Sequence, residues 1–167
     1  NIMTIIDKNV VSDSVLKVFQ DKEIAFKKLK LQSVRERKAR LGKLRSWIKA
    51  NREAIRQAMH ADFKKPAAEV DTTEILPVLD EIKQALENLD QWTKPKKVDA
   101  PLTMLGTRSS ILYEPKGVCL IISPWNYPFN LSAGPLVSAL AAGNTIILKP
   151  SEMTPHTSAL IKKMSQE

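Results

Sequence analysis

The chain has 167 residues, 43% of them hydrophobic and 26% charged, with a formal net charge of +8, 10 Pro and 5 Gly. This is the composition of a soluble globular chain and excludes a collagenous, disordered or low-complexity one. A single Cys rules out a disulfide within the chain, and two distant His leave nothing at zinc-ligand spacing.

The charge is unevenly placed. Residues 1–65 hold 17 Lys and Arg against 7 Asp and Glu, whereas the remainder holds 9 against 11. Arg35, Arg37, Lys38, Arg40, Lys43, Arg45, Lys49 and Arg52 fall on one strongly periodic helix and are expected on its solvated face. The segment has no interleaved aromatics for base stacking, so no nucleic-acid partner is expected. The longest apolar run, Val118 to Ile122, is far too short to cross a bilayer. The first residues lack the pattern of a signal peptide, and a cytoplasmic, reducing setting is the expectation.

In chain order, Val11, Val15, Val18, Phe19, Phe26 and Leu29 recur at helical spacing and form one apolar stripe. Ser33 and Glu36 form a capping-box pair that opens a second helix. The stripe of that helix, Val34, Leu41, Leu44, Ile48, Ile55 and Met59, runs on to His60–Lys65, where Pro66 supports a break. A third helix carries Ile75, Leu79, Ile82, Leu86, Leu89 and Trp92, and Pro77 inside it predicts a kink or a start near that point. Residues 98–105 and 107–113 read as two strands or a hairpin around Gly106.

Glu114-Pro115-Lys116-Gly117 is a turn by composition. Val118 to Ile122 then reads as a strand buried on both faces, Pro128 to Ala142 as a helix closed by Gly143 and Asn144, and Thr145 to Leu148 as a second buried strand. A further helix opens at Pro155. Strand, helix and strand make a βαβ unit, which builds parallel sheets that bind ligands at the strand C-termini. The two loops at those ends are residues 123–128 and 149–152. Two parallel strands do not complete a sheet, so the chain is expected to be the N-terminal piece of a longer protein.

The motifs Glu114-Pro115-Lys116-Gly117-Val118, Pro124-Trp125-Asn126-Tyr127-Pro128, Ala141-Ala142-Gly143-Asn144 and Lys149-Pro150-Ser151-Glu152 resemble, in order and spacing, the NAD(P)-dependent aldehyde dehydrogenase superfamily. Ala61-Asp62-Phe63 and Trp92-Thr93-Lys94-Pro95 resemble its class-three, fatty-aldehyde and coniferyl-aldehyde branch. The resemblance implies an α/β fold, with N-terminal helices and the start of a Rossmann-like parallel sheet. It divides the chain into a helical part of the cofactor domain (1–97), a strand pair of the oligomerisation domain (98–115) and the first βαβ unit of the cofactor domain (116–167). A homodimer is implied for the complete enzyme, with an aldehyde as substrate.

In that family a Cys thiolate attacks the aldehyde, hydride passes to the nicotinamide and a Glu-activated water releases the acid. By resemblance Asn126 supplies the side-chain amide that meets the developing oxyanion. The residue type alone equally allows an Asn that bonds its own loop. Ile122, Ser123, Pro124 and Trp125 match the lining of the cofactor pocket, although Trp125 could equally be core. Lys149 and Glu152 match the adenosine-ribose positions. A carboxylate there opposes a 2′-phosphate, so Glu152 favours NAD, with NADP possible. The spacing alone allows a helix N-terminal acid beside a solvated Lys.

Cys119 lies mid-strand without a base or cation beside it and reads as a buried structural thiol. The pyrophosphate loop, the general-base Glu, the nucleophilic Cys and the Glu-x-Phe-Gly-Pro stretch are missing, so the chain alone is expected to be inactive. The alternative is a non-catalytic nucleotide- or protein-binding module on the same fold.

Overall fold

A computed structural model describes residues 13–167 apart from 101 and 105. Helix α1 (Asp13–Leu29) carries the first stripe, of which Val11 lies outside the described residues. Val15, Val18 and Phe19 remain largely exposed, so this stripe is only partly used. Helix α2 (Val34–Ala50) begins at the capping box read from the sequence. The Ser33 Oγ accepts the Glu36 N–H, and Glu36 accepts the Ser33 N–H at 2.7 Å. The single second helix expected to reach residue 60 is in fact two. Asn51 leaves helical geometry (φ −102°, ψ 17°) and α3 (Arg52–Phe63) follows. The break preserves the phase of the stripe, so Ile48, Ile55 and Met59 all stay buried.

Lys64 ends α3 in the left-handed region (φ 59°), and the chain turns back into α4 (Ala67–Val70). Residues Asp71–Ile75 then form a π-helical turn that leads into α5 (Leu76–Trp92), with Pro77 in the first turn. The proline thus follows directly on the π-helical turn, inside a helical run that begins at Ala67. Its missing N–H leaves a carbonyl of the preceding turn free, and the Thr73 carbonyl instead accepts the Asn130 side-chain amide at 2.9 Å.

Strands β1 (Lys96–Val98) and β2 (Ser109–Ile111) pair antiparallel, with Lys97 opposite Ser110. They are shorter than the predicted pair: β1 meets the predicted 98–105 strand only at Val98, and Leu102–Met104 within that range forms a 3₁₀ turn. Strands β3 (Val118–Ile122) and β4 (Thr145–Lys149) are parallel, with Val118 opposite Thr145 and Ile122 opposite Lys149. Helix α6 (Asn130–Ala142) connects them. Gly143 closes it at φ 89°, where a Cβ would also lie 2.8 Å from the Arg37 Cζ. The Asn144 side chain accepts the Gly117 N–H at 2.9 Å and pins the starts of both strands. Helix α7 (Pro155–Gln166) completes the described chain.

The continuous core is mainly helical, running through Leu41, Ile48, Ile55, Val78, Ile82, Phe129, Val137 and Ile161. Burial of such side chains contributes about 1.5–3 kcal/mol each. Against expectation, β3 is not buried on both faces, because Leu120 and Ile122 are 61% and 67% exposed. With one neighbouring strand and α1 packed only near the start of the sheet, nothing among the described residues covers them. Cys119, expected to be buried, is half-buried. On the basic face Arg35, Lys43, Arg45, Lys49 and Arg52 are exposed as expected, whereas Arg37, Lys38 and Arg40 are half-buried. Arg37 donates to the Ala142 carbonyl at the end of α6, Lys38 pairs with Asp90, and Arg52 and Arg56 pair with Asp71.

Candidate active-site loops

The parallel register brings both candidate loops to one end of the sheet. Ile122 and Lys149 are neighbours, and the Ser123 N–H donates to the Lys149 carbonyl at 3.0 Å. Alternation along the strands puts Leu120, Ile122 and Lys149 on one face. Leu120 and Ile122 make an open apolar ledge with the exposed Lys149 at its margin, and Trp125 in the loop that follows β3 is 60% exposed. Trp125 is thus not a core residue. Ser123 is buried and its hydroxyl donates to the Leu131 carbonyl at 3.3 Å, so its side chain serves the loop. Pro124 is exposed at the turn beside it.

Asn126 stands at the crest of the first loop. Its side chain is exposed and makes no hydrogen bond with the described residues, whereas its carbonyl accepts from the Lys65 ammonium at 3.4 Å. The loop is anchored on the C-terminal side of Asn126. Phe129 is fully buried, the Tyr127 carbonyl accepts the Leu131 N–H at 2.9 Å, and the Ser132 hydroxyl donates to the Pro128 carbonyl at 2.6 Å. A free amide on a fixed loop can donate to a ligand oxygen without first breaking a protein bond.

In the second loop the Lys149 ammonium pairs with the Glu152 carboxylate at 2.5 Å, and both side chains are exposed. The hydrogen bond from Lys149 holds the Glu152 carboxyl below its usual range. Glu152 precedes α7 and bonds none of its N–H groups. Asp62 takes that place instead: it accepts the His156 N–H at 3.0 Å, the Thr157 N–H at 2.9 Å and the Thr157 hydroxyl at 2.7 Å. Glu152 therefore does not cap α7 by hydrogen bonds, although it stands before the helix N-terminus beside an exposed Lys. An exposed carboxylate and ammonium beside an open apolar ledge fit a nucleoside, whose ribose hydroxyls offer donors and acceptors.

Three residues that hold these loops were not singled out from the sequence as such. Asp62 fixes the helix after the second loop. Lys65 and Glu74 form an ion pair at 2.6 Å beneath the first, and only 7% and 0% of these residues is exposed. Glu74 carried a legible signal. It lies four residues from both Val70 and Val78, at a core position of the helical stripe, where a charge must find a partner.

Residues 8–167 match the sequence profile of the Aldehyde dehydrogenase family. The chain belongs to this family. A bovine relative, aldehyde dehydrogenase family 3 member B1, is 42% identical over 128 residues, covering 77% of this chain and 27% of its own length. The substrate-bound structure of Staphylococcus aureus AldH superposes with a TM-score of 0.87 at 42% identity, over 90% of this chain and 33% of that one. A Cys→Ala variant of Pseudomonas syringae aldehyde dehydrogenase C, solved with NAD+ and octanal, gives a TM-score of 0.76 at 25% identity, over 90% and 30%. This aldehyde dehydrogenase chain spans about a third of the length of the relatives it matches. Its helices and small sheets are the N-terminal portion of the family's α/β fold, and nicotinamide cofactors occur among its structural neighbours. Among the described residues no helix is long and apolar enough to cross a membrane, and no group of three or more His, Cys, Asp or Glu could hold a metal ion.

Proposed function

We propose that this chain is the N-terminal third of an enzyme that oxidises an aldehyde to a carboxylic acid with NAD, or NADP, as hydride acceptor. The observation that carries the reading is the exposed Asn126 amide, unbonded among the described residues, on a loop anchored by the buried Phe129 and by the Lys65 bond to the Asn126 carbonyl, beside the open ends of two parallel strands. In this reading Asn126 donates to the aldehyde oxygen. The bond strengthens as that oxygen gains negative charge, so the residue acts on the transition state more than on the ground state.

Lys149 and Glu152 would hold the adenosine ribose, Ile122 and Trp125 would offer apolar surface to the cofactor, and Ser123 and Pro124 would shape the turn between them. The cofactor supplies the two-electron acceptor when bound. Cys119 is not the nucleophile. It is half-buried within β3 and serves there as a structural thiol, and in this reading the nucleophile and the general base come from outside this chain. In this reading residues 1–167 contribute part of the cofactor site and the oxyanion donor, and not the nucleophile.

The test is Asn126→Ala in the full-length protein. One oxyanion donor is worth about 10²–10³ in turnover. Single-turnover rate and kcat/KM should fall together by that factor, while the Kd for NAD stays put. A loop-bracing Asn would instead lower the melting temperature and leave the rate intact, and that outcome ends the assignment.

A further inference from the structure

We propose that Lys65 and Glu74 are positioning residues for Asn126, acting through the backbone of the loop that carries it. The inference rests on the oxyanion reading of Asn126 above. The two side chains come from different segments, Lys65 from the turn after α3 and Glu74 from the π-helical turn. They meet at 2.6 Å in a buried site. Burying two charges costs several kcal/mol per ion before their attraction is counted, and well-packed apolar residues often serve stability equally well. Stability alone therefore does not account for the pair. Its remaining contacts do, because, apart from that of the Lys65 ammonium with the Phe63 ring, whose centre lies 5.2 Å away, they converge on one short stretch of chain.

The Lys65 ammonium donates to the Asn126 carbonyl at 3.4 Å and lies 4.2 Å from the centre of the Tyr127 ring. The second carboxylate oxygen of Glu74 accepts the Asn130 N–H at 2.9 Å, and the neighbouring Thr73 carbonyl accepts the Asn130 side-chain amide at the same distance. Asn126 and Asn130 are thus tied to one charged pair, with Phe129 sunk in the core between them. No bond in this set involves the Asn126 side chain, which leaves the amide free while its backbone is fixed. Donors of this kind act only when held within a fraction of an ångström of the developing charge, and a misplacement of about 1 Å can cost 10²-fold.

The experiment uses the full-length protein and the double variant Lys65→Met/Glu74→Leu, which replaces the pair by apolar side chains of similar size. Single-turnover rate should fall roughly 10- to 100-fold, with melting temperature unchanged or higher and the Kd for NAD unchanged. Adding Asn126→Ala should cost little more, because both changes remove one interaction. Lys65→Arg, which keeps a cationic donor, should retain most of the rate. A folded double variant with normal rate, or losses that multiply with that of Asn126→Ala, overturns the proposal. If the double variant does not fold, the nearly isosteric Glu74→Gln decides by the same two measurements. If Asn126→Ala alone leaves the rate intact, the oxyanion reading falls; if Asn126→Ala is slow and the double variant is fast, only the positioning role falls.

Discussion

Removing the Asp62 carboxylate should loosen α7 and, through it, the loop that carries Lys149 and Glu152. Thr154 precedes the helix but makes no side-chain cap, and Pro155 has no N–H to satisfy. The first two donors of the helix, His156 and Thr157, both depend on Asp62, a residue 94 positions earlier in the chain. Thr157 is fully buried, so in Asp62→Ala its N–H and hydroxyl lose their oxygen partner without gaining water. Loss of a helix N-cap costs about 0.5–2 kcal/mol, and a buried donor left unpaired adds about 1–3 kcal/mol. Allowing for partial relaxation, a total of about 2–3 kcal/mol is expected. At this chain length that lowers the melting temperature by roughly 4–12 °C. Asp62→Asn retains one acceptor oxygen and should lose about half as much. In the full-length protein the Kd for NAD should rise several-fold, with the rate at saturating NAD unchanged. The reasoning fails if Asp62→Ala melts with the wild type, or if it slows the chemical step while NAD binds normally.

Two further outcomes are expected. Glu152→Gln in the full-length protein should weaken NAD more than NADP, because it removes the charge that opposes a 2′-phosphate; equal losses, read from the two dissociation constants, would count against a ribose role. Asp71, whose carboxyl is held well below the usual range by hydrogen bonds from Arg52 and Arg56, contributes stability that is present above the ordinary carboxylate pKa of about 3.9 and lost as pH falls through its depressed value. Asp71→Asn should therefore lower the melting temperature at pH 7 and remove part of its acid-induced decline; an unchanged decline in acid would show that the pair with the arginines does not drive it.

Much of the architecture is legible in the residues. The Ser33–Glu36 box, the βαβ spacing and Gly143 each specify local geometry by their own chemistry, and each appears where the sequence puts it. The break at Asn51 is invisible because the stripe from Ile48 to Ile55 keeps its phase across it. The exposure of Leu120 and Ile122 is hidden for another reason: an apolar run reports what a strand can bury, not what lies beside it. The site itself divides in the same way. The two loops are read from their motifs, but the side chains that brace them are far away in sequence. Lys65 sits in a Lys-Lys-Pro stretch that looks like an ordinary polar helix end, and only its partner's place on the core stripe betrays it.

The π-helical turn at Asp71–Ile75 places one extra residue in a helix that otherwise runs from Ala67 to Trp92. Such turns are rare and short, and frequently occur at functional sites. Here the added residue lets Glu74 reach Lys65 and Asn130 while Ile75 still enters the core and Asp71 still meets the arginines of α3. The length of this segment is consequently under tighter constraint than its composition. Conservative exchanges at Thr72 or Thr73 can be absorbed, but loss of one residue would rotate everything before the turn by about 100° relative to α5. A frame shift of that kind would part Asp71 from α3 or Glu74 from the loop, and no single replacement elsewhere could restore both.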